Sequence, residues 1–424
     1  MKILIKNGRL INPKNQFDNV VDVAIDAEKI FAIDNIPSDF IPQQTIDASG
    51  KWIIPGIVDL CARLREPGFE YKATIVSETT AAASAGITTM CCPPDTRPVI
   101  DNPSVADLIH HRALQHNKAR VVTIGALTQG LQGEQVSEMV ALKEAGTVGV
   151  GNALMPIKST LVMRRAMEYA ATHELTVFLY AEDPWLRGES VVHEGPVATR
   201  MGLEGNPEIC ETIAVSRDLA LIEKTGVRAH FCRLSSLKAA RMVARAQYDG
   251  LPVSADVSAH QLHLLDMDVG DYSSQYHVRP PLRSIRDRDG LRKAVNEKTI
   301  NAICSDHQPH DLDAKIGPFS ATSPGISSLE TLLPLTMRLV KDKVMSLDVA
   351  IAALTYQPAN ILGLDLGYIE ENAVADLCIY DPDHVWTLNP DNIQSRGLNT
   401  PFMGWEFEGR VTHTFLHGQC VFEL

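Results

Sequence analysis

The pattern of apolar and polar positions changes near residue 50, from short β-type runs to strands that alternate with helical periods. Up to about residue 50, short β-type runs at 3–5, 20–25 and 30–33 are separated by turn chemistry such as Asn7-Gly8. These runs predict a small antiparallel β-unit.

From residue 53 onwards, apolar runs of strand length alternate with helical periods, several of which end just before a glycine. Strands are predicted at 53–60, 88–92, 121–125, 147–149, 177–180, 228–232, 253–257 and 301–305. Helices are predicted between them, among others at 75–85, 136–145, 161–173, 211–224 and 237–246. Eight strands with intervening helices predict an α/β fold, a (β/α)8 TIM-type barrel.

Strand-like runs return near the end of the sequence. Two helical stretches, 327–340 and 347–354, precede apolar runs at 375–380, 410–415 and 419–422. Short strands at a C-terminus have little to pack on, so we expect them to join the N-terminal strands. The predicted organisation is a composite β-domain from 1–52 plus 367–424 and a barrel over 53–366.

Composition narrows the classes of function. The 424 residues are 45% hydrophobic and 21% charged, which is ordinary for a globular chain, and the formal net charge is -13. Nucleic acid and anionic membranes are therefore not expected as partners, because both require a basic face. The chain has no apolar run of membrane-spanning length, the N-terminus lacks signal-peptide features and the eight cysteines follow no disulfide framework, so we expect a cytoplasmic protein with reduced thiols.

Polar side chains follow the first predicted barrel strand, where barrel enzymes carry their chemistry. The segment reads Pro55-Gly56-Ile57-Val58-Asp59-Leu60-Cys61-Ala62-Arg63-Leu64-Arg65-Glu66-Pro67-Gly68. It resembles the first barrel strand of the dihydroorotases, in the amidohydrolase superfamily, which carry two metal-binding histidines at the positions of Cys61 and Arg63. Further matches are Pro94-Asp95-Thr96-Arg97-Pro98-Val99, Val278-Arg279-Pro280-Pro281-Leu282-Arg283 and Ser305-Asp306-His307-Gln308-Pro309-His310. The resemblance covers essentially the whole chain.

The resemblance implies six positions that hold two divalent ions in active relatives. In this chain they read Cys61, Arg63, Asn152 (or its neighbour Ala153), Tyr180, Arg233 and Asp306, of which only Asp306 is a family ligand. Guanidinium groups stay protonated and have no lone pair to donate, so Arg63 and Arg233 repel a cation. We therefore expect no catalytic residues, a vestigial Asp306 paired with one or both arginines, and no cofactor.

A zinc site of another kind is the alternative. Cys61, Cys232 and Cys304 converge towards one end of the predicted barrel and, with His230 or His307, offer soft ligands. Such a site would carry both arginines beside it. His230 is otherwise expected to be a packed, hydrogen-bonded core residue.

The substrate-binding positions that the resemblance implies are partly kept. Arg65 matches the arginine that grips the substrate carboxylate, or else is a surviving structural arginine, and His310 matches a position that assists it. Asp95 replaces a substrate-binding asparagine and would repel an anion, while Arg279 replaces another asparagine. These substitutions leave substrate binding open.

The resemblance implies a noncatalytic function. Within the family, dihydroorotase-like chains without zinc ligands serve as the noncatalytic subunit of bacterial aspartate carbamoyltransferase, in pyrimidine biosynthesis. We expect this role, with at least a homodimer inside a larger hetero-oligomer. The rival readings are an active metal-dependent cyclic amidohydrolase, which would be a dihydroorotase with rearranged ligands or a relative acting on allantoin or hydantoin, and a small-molecule binder using Arg65 and Arg279.

Overall fold

A computed structural model describes residues 1–424 as 18 β-strands and 12 α-helices. The strands, β1 to β18 in chain order, are Lys2–Asn12, Phe17–Asp26, Lys29–Ile33, Gln44–Asp47, Trp52–Pro55, Ile57–Asp59, Ile87–Cys92, Arg120–Ala126, Gly149–Gly151, Val177–Leu179, Val192–His193, Gly205–Asn206, Ala229–Phe231, Val253–Ser258, Ala302–Cys304, Leu377–Thr387, Glu406–Leu416 and Gln419–Glu423. The helices, α1 to α12, are Ile75–Ser84, Pro103–His116, Met139–Glu144, Thr160–Thr172, Pro184–Arg187, Pro196–Met201, Ile209–Thr225, Leu237–Tyr248, Ile285–Asn296, Leu329–Lys341, Leu347–Leu354 and Tyr356–Leu362.

Eight parallel strands form the predicted barrel. They lie in the order β6, β7, β8, β9, β10, β13, β14, β15, so that each strand pairs with the next one along the barrel. The residues after the first and last strands bring the two edges together, because Ala62 forms a parallel bridge with His307. The (β/α)8 prediction is confirmed.

The first predicted strand, 53–60, is wrong as a single element. It divides at Gly56 into β5, which pairs with β16 in an outer sheet, and β6, which opens the barrel. A Cβ atom at Gly56 would lie 2.2 Å from the Oγ1 atom of Thr88, so only glycine fits where the chain crosses from one sheet to the other.

The outer sheet combines both ends of the chain, as expected for the composite β-domain. Its order is β18-β17-β16-β5-β1-β2-β3, with β4 also on β1. The prediction that residues 1 to about 50 are antiparallel holds for β1, β2 and β3 but is wrong for β4, which runs parallel to β1. The sheet has its own apolar core, in which Ile5, Val23 and Phe415 are fully buried.

Parallel strands place the residues that follow them at one end of the barrel. Cys61 and Arg63 follow β6, Asn152 follows β9, Tyr180 follows β10, Arg233 follows β13 and Asp306 follows β15. The sequence-predicted ligand positions are therefore brought to a common rim. None of the helices is both long and apolar enough to cross a bilayer.

Candidate functional site

Asp306 lies between two buried guanidinium groups. Its Oδ1 atom is 3.3 Å from Nη1 of Arg63 and 3.5 Å from Nε of Arg233. The exposed fraction is 1% for Asp306 and about 5% for each arginine. The sequence predicts that one or both arginines pair with Asp306, and both do.

The backbone at this rim is held in a left-handed conformation. Arg65, Arg233 and Asp306 have φ angles of 64°, 54° and 46°, respectively, although none is glycine. Such residues cost on the order of 1–3 kcal/mol each and persist only where the surrounding contacts fix them. The ion pairs with Asp306 are contacts of this kind for two of the three.

Cys61 fills the space between the arginines. Arg233 Nη1 donates to the Cys61 Sγ atom at 2.9 Å, and Cys61 in turn donates to Asp306 Oδ1 at 3.5 Å. Burial raises the pKa of the Cys61 thiol far above its usual value, although the two arginines act in the other direction. A thiol that stays protonated is a poor metal ligand.

Asp95 supplies a second carboxylate. Its Oδ2 atom lies 2.7 Å from Nε of Arg63, so Arg63 bridges Asp95 and Asp306. Burial would raise the pKa of Asp95, but the Arg63 guanidinium holds it below its usual value. Asp95 therefore pairs within the chain, and two cations balance two anions at the barrel end.

Tyr180 stacks between two guanidinium groups. The Cζ atoms of Arg233 and Arg279 lie 5.2 Å and 5.6 Å from the centroid of the Tyr180 ring, within the range of cation–π interactions. Arg279 also forms an ion pair with Glu182 and donates to the carbonyl of Leu154. Arg279, considered from the sequence as an anion-binding residue, is thus neutralised within the protein.

Asn152 has a structural role in the loop after β9. Its Oδ1 atom accepts from the Thr128 hydroxyl at 2.8 Å, and its amide donates to the carbonyls of Leu131 and Met155. Both amide hydrogens and one of the two acceptor positions of Oδ1 are thus used. The neighbouring Ala153 has no ligand atom in its side chain.

The residues at these six positions do not fit a divalent cation. Two of them carry positive charge against the one retained carboxylate, and a guanidinium has no lone pair to offer. The cavity lined by Cys61, Tyr180 and Arg233 has a volume of about 20 Å³. One water needs roughly 10–15 Å³ of such space, so the arginines and the tyrosine fill the room in which a metal pair and a substrate would bind.

A second group of potential ligands lies deeper in the barrel. Ligand atoms of His230, Cys232 and Asp256 are within 4.8 Å of one another. The His230 ring already contacts Asp256 Oδ2 at 2.9 Å and the Ser254 hydroxyl at 2.8 Å, as expected for a hydrogen-bonded core histidine. Of the alternative thiol set, the structure thus brings His230 and Cys232 together.

The other members of that thiol set lie elsewhere or are poor ligands. His307 faces Glu78, with its Nε2 atom 2.7 Å from the carboxylate, and is not part of the group. The Cys304 thiol lies 3.5 Å from Asp256 Oδ1, and burial raises its pKa well above the usual value, as it does for Cys232.

Comparison with known proteins identifies the family. A family model described as dihydro-orotase-like matches residues 50–239. A dihydroorotase-like protein of Pseudomonas aeruginosa is 47% identical over 423 residues, covering 100% of both chains, and one of Pseudomonas putida is 47% identical over 418 residues, covering 99% of this chain and 98% of its own. The chain belongs to the dihydroorotase-like family.

A more distant relative agrees with this assignment, and a solved structure shares the fold. A dihydroorotase of Syntrophotalea carbinolica is 39% identical over 424 residues, covering 100% of both chains. The L-hydantoinase of Arthrobacter aurescens superposes with a TM-score of 0.89 at 22% identity, covering 99% of this chain and 96% of its own. At that identity the likeness shows the fold, a barrel with an added β-domain.

The two predicted substrate residues of this dihydroorotase-like chain lie together. Arg65 Nη2 is 3.2 Å from Nε2 of His310, and Arg65 Nε donates to the Pro309 carbonyl at 2.9 Å. Burial lowers the pKa of Arg65 to about 10 and that of His310 to about 2, with the neighbouring cations acting in the same direction.

Sequence reasoning missed two lysines beside this pair. Lys72 Nζ lies 3.1 Å from Nδ1 of His310, and Lys315 donates to the carbonyls of Ser274 and Ser323. Burial, together with the charges of Arg65 and Lys72, lowers the pKa of Lys315 to about 7. Lys72 lies in a loop and Lys315 ends a short 3-10 helix. Both are outside the matched motifs, so no local pattern indicated them.

Proposed function

We propose that this dihydroorotase-like protein is a catalytically inactive, cytoplasmic subunit of pyrimidine biosynthesis that supports aspartate carbamoyltransferase. It would act as at least a homodimer inside a larger hetero-oligomer. The observation that supports the proposal is the pair of buried arginines on Asp306, at positions that hold metal ligands in active relatives.

The chemistry argues against hydrolysis or closure of a cyclic amide at this site. A divalent metal lowers the pKa of a bound water from 15.7 to about 7 and so generates the nucleophile. Arg63 and Arg233 oppose a divalent ion by several kcal/mol each at ~5 Å, even at an effective dielectric constant near 20. Without the ion, the nucleophile of the family reaction is not generated in that way.

Two arguments support aspartate carbamoyltransferase as the partner. They are the family resemblance and the retention of a large fold without a working metal centre. A chain of 424 residues that retains its fold without a working centre is best explained by its surface. Noncatalytic dihydroorotase-like chains are known as subunits of bacterial aspartate carbamoyltransferase. A contact of that kind needs more than about 1,000 Å² of complementary surface, and none of the vestigial site.

The first test measures dihydroorotase activity and bound metal on the same preparation. The dihydroorotase of Syntrophotalea carbinolica, purified alongside, is the control that is expected to be active and metal-loaded. We expect the present protein to show no activity and less than one equivalent of zinc. Metal-dependent activity that is lost on Asp306→Asn would establish the alternative, an active cyclic amidohydrolase with rearranged ligands.

The second test is co-expression with the aspartate carbamoyltransferase catalytic chain from the same source. We expect a stoichiometric complex by size-exclusion chromatography with light scattering, and a carbamoyltransferase that is more stable or more active than alone. The variant His310→Asn is expected to assemble equally well. Separate elution at micromolar concentration, with a carbamoyltransferase fully active alone, would contradict the role and favour the small-molecule binder.

A further inference from the structure

A cleft separates helix α10 from the outer sheet. Its volume is about 470 Å³, and its walls include Trp52 of β5, Tyr380 of β16 and Phe407 of β17, together with Pro334 and Met337 of α10. Pockets for small molecules measure roughly 300–1,000 Å³ and are frequent at boundaries between domains. This cleft lies where the barrel meets the β-domain, and it shares no lining residue with the cavity at the barrel end.

Two departures from regular secondary structure border this cleft. Pro334 lies inside α10, where a proline removes one helical hydrogen bond. The pairing of β16 with β17 shifts register between Asp381 and Val385, and Pro382 within this stretch lines the cleft. Such bulges are over-represented beside functional sites. Irregularities from elements that are distant in the sequence thus meet at one cavity.

Aromatic side chains form one wall of the cleft. The ring centroids of Trp52 and Tyr380 lie 5.4 Å apart, with an angle of 44° between the ring planes. Gly409 makes room for Tyr380, because a Cβ atom at this position would overlap the tyrosine hydroxyl. That hydroxyl donates to the carbonyl of Glu408 at 3.2 Å and so fixes the ring. Aromatic rings pack well against other rings, so this wall favours a ligand with a planar ring.

Five charged side chains line the cleft, and three of them are carboxylates. The cations are Arg338 and Lys341, and the carboxylates are Asp342, Glu406 and Glu408. Lys341 and Glu408 form an ion pair with each other. Asp342 and Glu406 are exposed and have no cation within ion-pair distance, and Arg338 has no carboxylate within that distance. One negative charge is therefore in excess.

Neighbouring charges do not reverse this balance. The charged residues next to the lining residues in the sequence are Lys51 and Lys343 against Asp381 and Asp383, which cancel.

A smaller cleft of about 200 Å³ adjoins the first one along Pro334 and Tyr380. Arg410 lines this smaller cleft with Glu330 and Glu423, so carboxylates are again in excess.

Two arginines near the cleft are already engaged by tryptophan rings. The Cζ atom of Arg338 lies 5.1 Å from the centroid of the Trp405 ring, and that of Arg9 lies 5.6 Å from the centroid of the Trp52 ring. Arg9 also pairs with Asp18 at 2.7 Å. Both cation–π contacts offset part of the cationic charge, so the cleft favours a cation over an anion.

We propose that the cleft between α10 and the outer sheet binds a small organic cation that carries a planar aromatic ring. The ring of the ligand packs against Trp52, Tyr380 and Phe407, and its ammonium group pairs with Asp342 or Glu406. An anion of the same size would add to the excess of negative charge. The inference is independent of the proposed function, because the site does not involve the barrel end.

Two probes that differ in the sign of their charge test the proposal on the full chain. Tyramine and 3-(4-hydroxyphenyl)propionate share a phenol ring and the same linker, and they end in an ammonium and a carboxylate group, respectively. The chain has four tryptophans, so its indole N–H groups give four signals in a proton–nitrogen correlation spectrum. The Trp52 signal is the one that is missing from Trp52→Phe. Its shift on titration with each probe gives the Kd at this site.

The double variant D342N/E406Q removes the two unpaired carboxylates of the cleft. D107N/E144Q is the matched control, because Asp107 and Glu144 are exposed on α2 and α3 and also have no cation within ion-pair distance. All four positions are exposed, so spectra close to that of the wild type are expected.

We expect tyramine to shift the Trp52 signal of the wild type and to bind at least about fivefold more tightly than 3-(4-hydroxyphenyl)propionate. The control D107N/E144Q should keep this preference. D342N/E406Q should lose it, since the carboxylates that distinguish the two probes are gone. If D342N/E406Q does not fold, the comparison of the two probes on the wild type still decides the sign of the ligand charge.

Four results would overturn the proposal, and none of them bears on the proposed function. The first is a Trp52 signal that neither probe shifts at millimolar concentration. The second is tighter binding of 3-(4-hydroxyphenyl)propionate, which would make Arg338 the anchor of an anion. The third is a preference for tyramine that D342N/E406Q leaves unchanged. The fourth is a homo-oligomer that tyramine dissociates in light scattering, which would mean that the cleft holds a side chain of a second copy.

Discussion

At the scale of single residues, Arg63 and Arg233 share two carboxylates, and the sharing is unequal. Arg63 contacts both Asp95 and Asp306, whereas Arg233 has Asp306 as its ion-pair partner. Burying an ion is expensive, and the expense is offset only while the partner is present. The Asp306 carboxylate therefore has a structural role.

Asp306→Asn should lower the free energy of unfolding by about 3–5 kcal/mol, because it leaves the buried Arg233 without a carboxylate. Urea denaturation followed by circular dichroism measures the change. The control is Asp18→Asn, which breaks the exposed Arg9–Asp18 pair and should cost less than about 1 kcal/mol. Equal losses in the two variants would show that the barrel-end pair contributes no more than a surface one.

His260 makes stability sensitive to mild acid. It is 1% exposed, and burial lowers its pKa from the usual 6.5 to about 4, with Asp306 and Arg233 acting in opposite directions. Between these values the unfolded chain binds a proton that the folded chain does not, so stability falls as the pH falls. We expect this residue to account for roughly 2 kcal/mol of the stability lost between pH 7 and pH 5.

The comparison of wild type with His260→Asn isolates this effect. Denaturation midpoints at pH 7 and pH 5 should differ less in the variant than in the wild type, since asparagine does not titrate. An unchanged difference would mean that His260 is protonated in the folded state at pH 5, and the acid sensitivity would then arise from other buried histidines such as His277, whose pKa burial also lowers to about 4.

At the scale of elements, the periodicity of apolar residues alone was enough to predict the barrel. Its strands are buried on both faces and read as apolar runs, so seven of them were predicted to within two residues. The remaining strand, predicted at 53–60, divides at Gly56 into β5 and β6. The sequence could not predict this division, because an apolar run does not show which sheet each half joins. That choice depends on Thr88 and Asp376, which approach Gly56 only in the folded chain.

The sequence predicted which residues meet at the candidate site, but not all the side chains with which they pair. The strand ends and the family motifs placed Cys61, Arg63, Arg233 and Asp306 together. Pairings such as Glu182 with Arg279 join residues 97 positions apart in the sequence, through loops that carry no periodic signal. The same reason explains why Lys72 and Lys315 were missed.

Glu78 on α1 joins three elements, and its removal should be costly. The carboxylate accepts from His307 after β15 at 2.7 Å, from the Ser395 hydroxyl at 2.7 Å and from the Arg396 N–H at 3.2 Å. Glu78→Ala leaves three donors without an acceptor, at about 1–3 kcal/mol each for those that are buried. We expect a total loss of at least about 3 kcal/mol in urea denaturation.

The matched variant for this network is Glu168→Ala on α4. Glu168 forms an exposed pair with Arg164 one turn away, which contributes about 0.3–0.5 kcal/mol. A similar small loss for Glu78→Ala would mean that water replaces Glu78 at all three donors. That outcome would require the buried contacts between α1 and the C-terminal segment to open.

At the scale of the whole molecule, the chain is acidic overall but carries several arginines at one end of the barrel. The chain carries a net charge of -13, yet its barrel end holds Arg63 and Arg233 in buried positions, with Arg65 half-buried. The acidic net charge favours a dispersed protein in solution, whereas the guanidinium groups of Arg63 and Arg233 at the barrel end oppose a divalent cation, although Asp95 and Asp306 pair with them. The ion pairs that stabilise this end of the barrel thus also oppose a divalent cation there.

Metal should therefore leave the stability of the whole chain unchanged. A ligand that binds only the folded state at 100 times its Kd stabilises by about 2.7 kcal/mol, so a resident zinc site would be readily visible in denaturation. We expect equal midpoints with zinc and with a chelator, while the Syntrophotalea carbinolica dihydroorotase, treated identically, loses stability on chelation. A midpoint that the chelator lowers and zinc restores would contradict this expectation. If Cys232→Ser abolished that response, the metal would lie at His230, Cys232 and Asp256, away from Arg63.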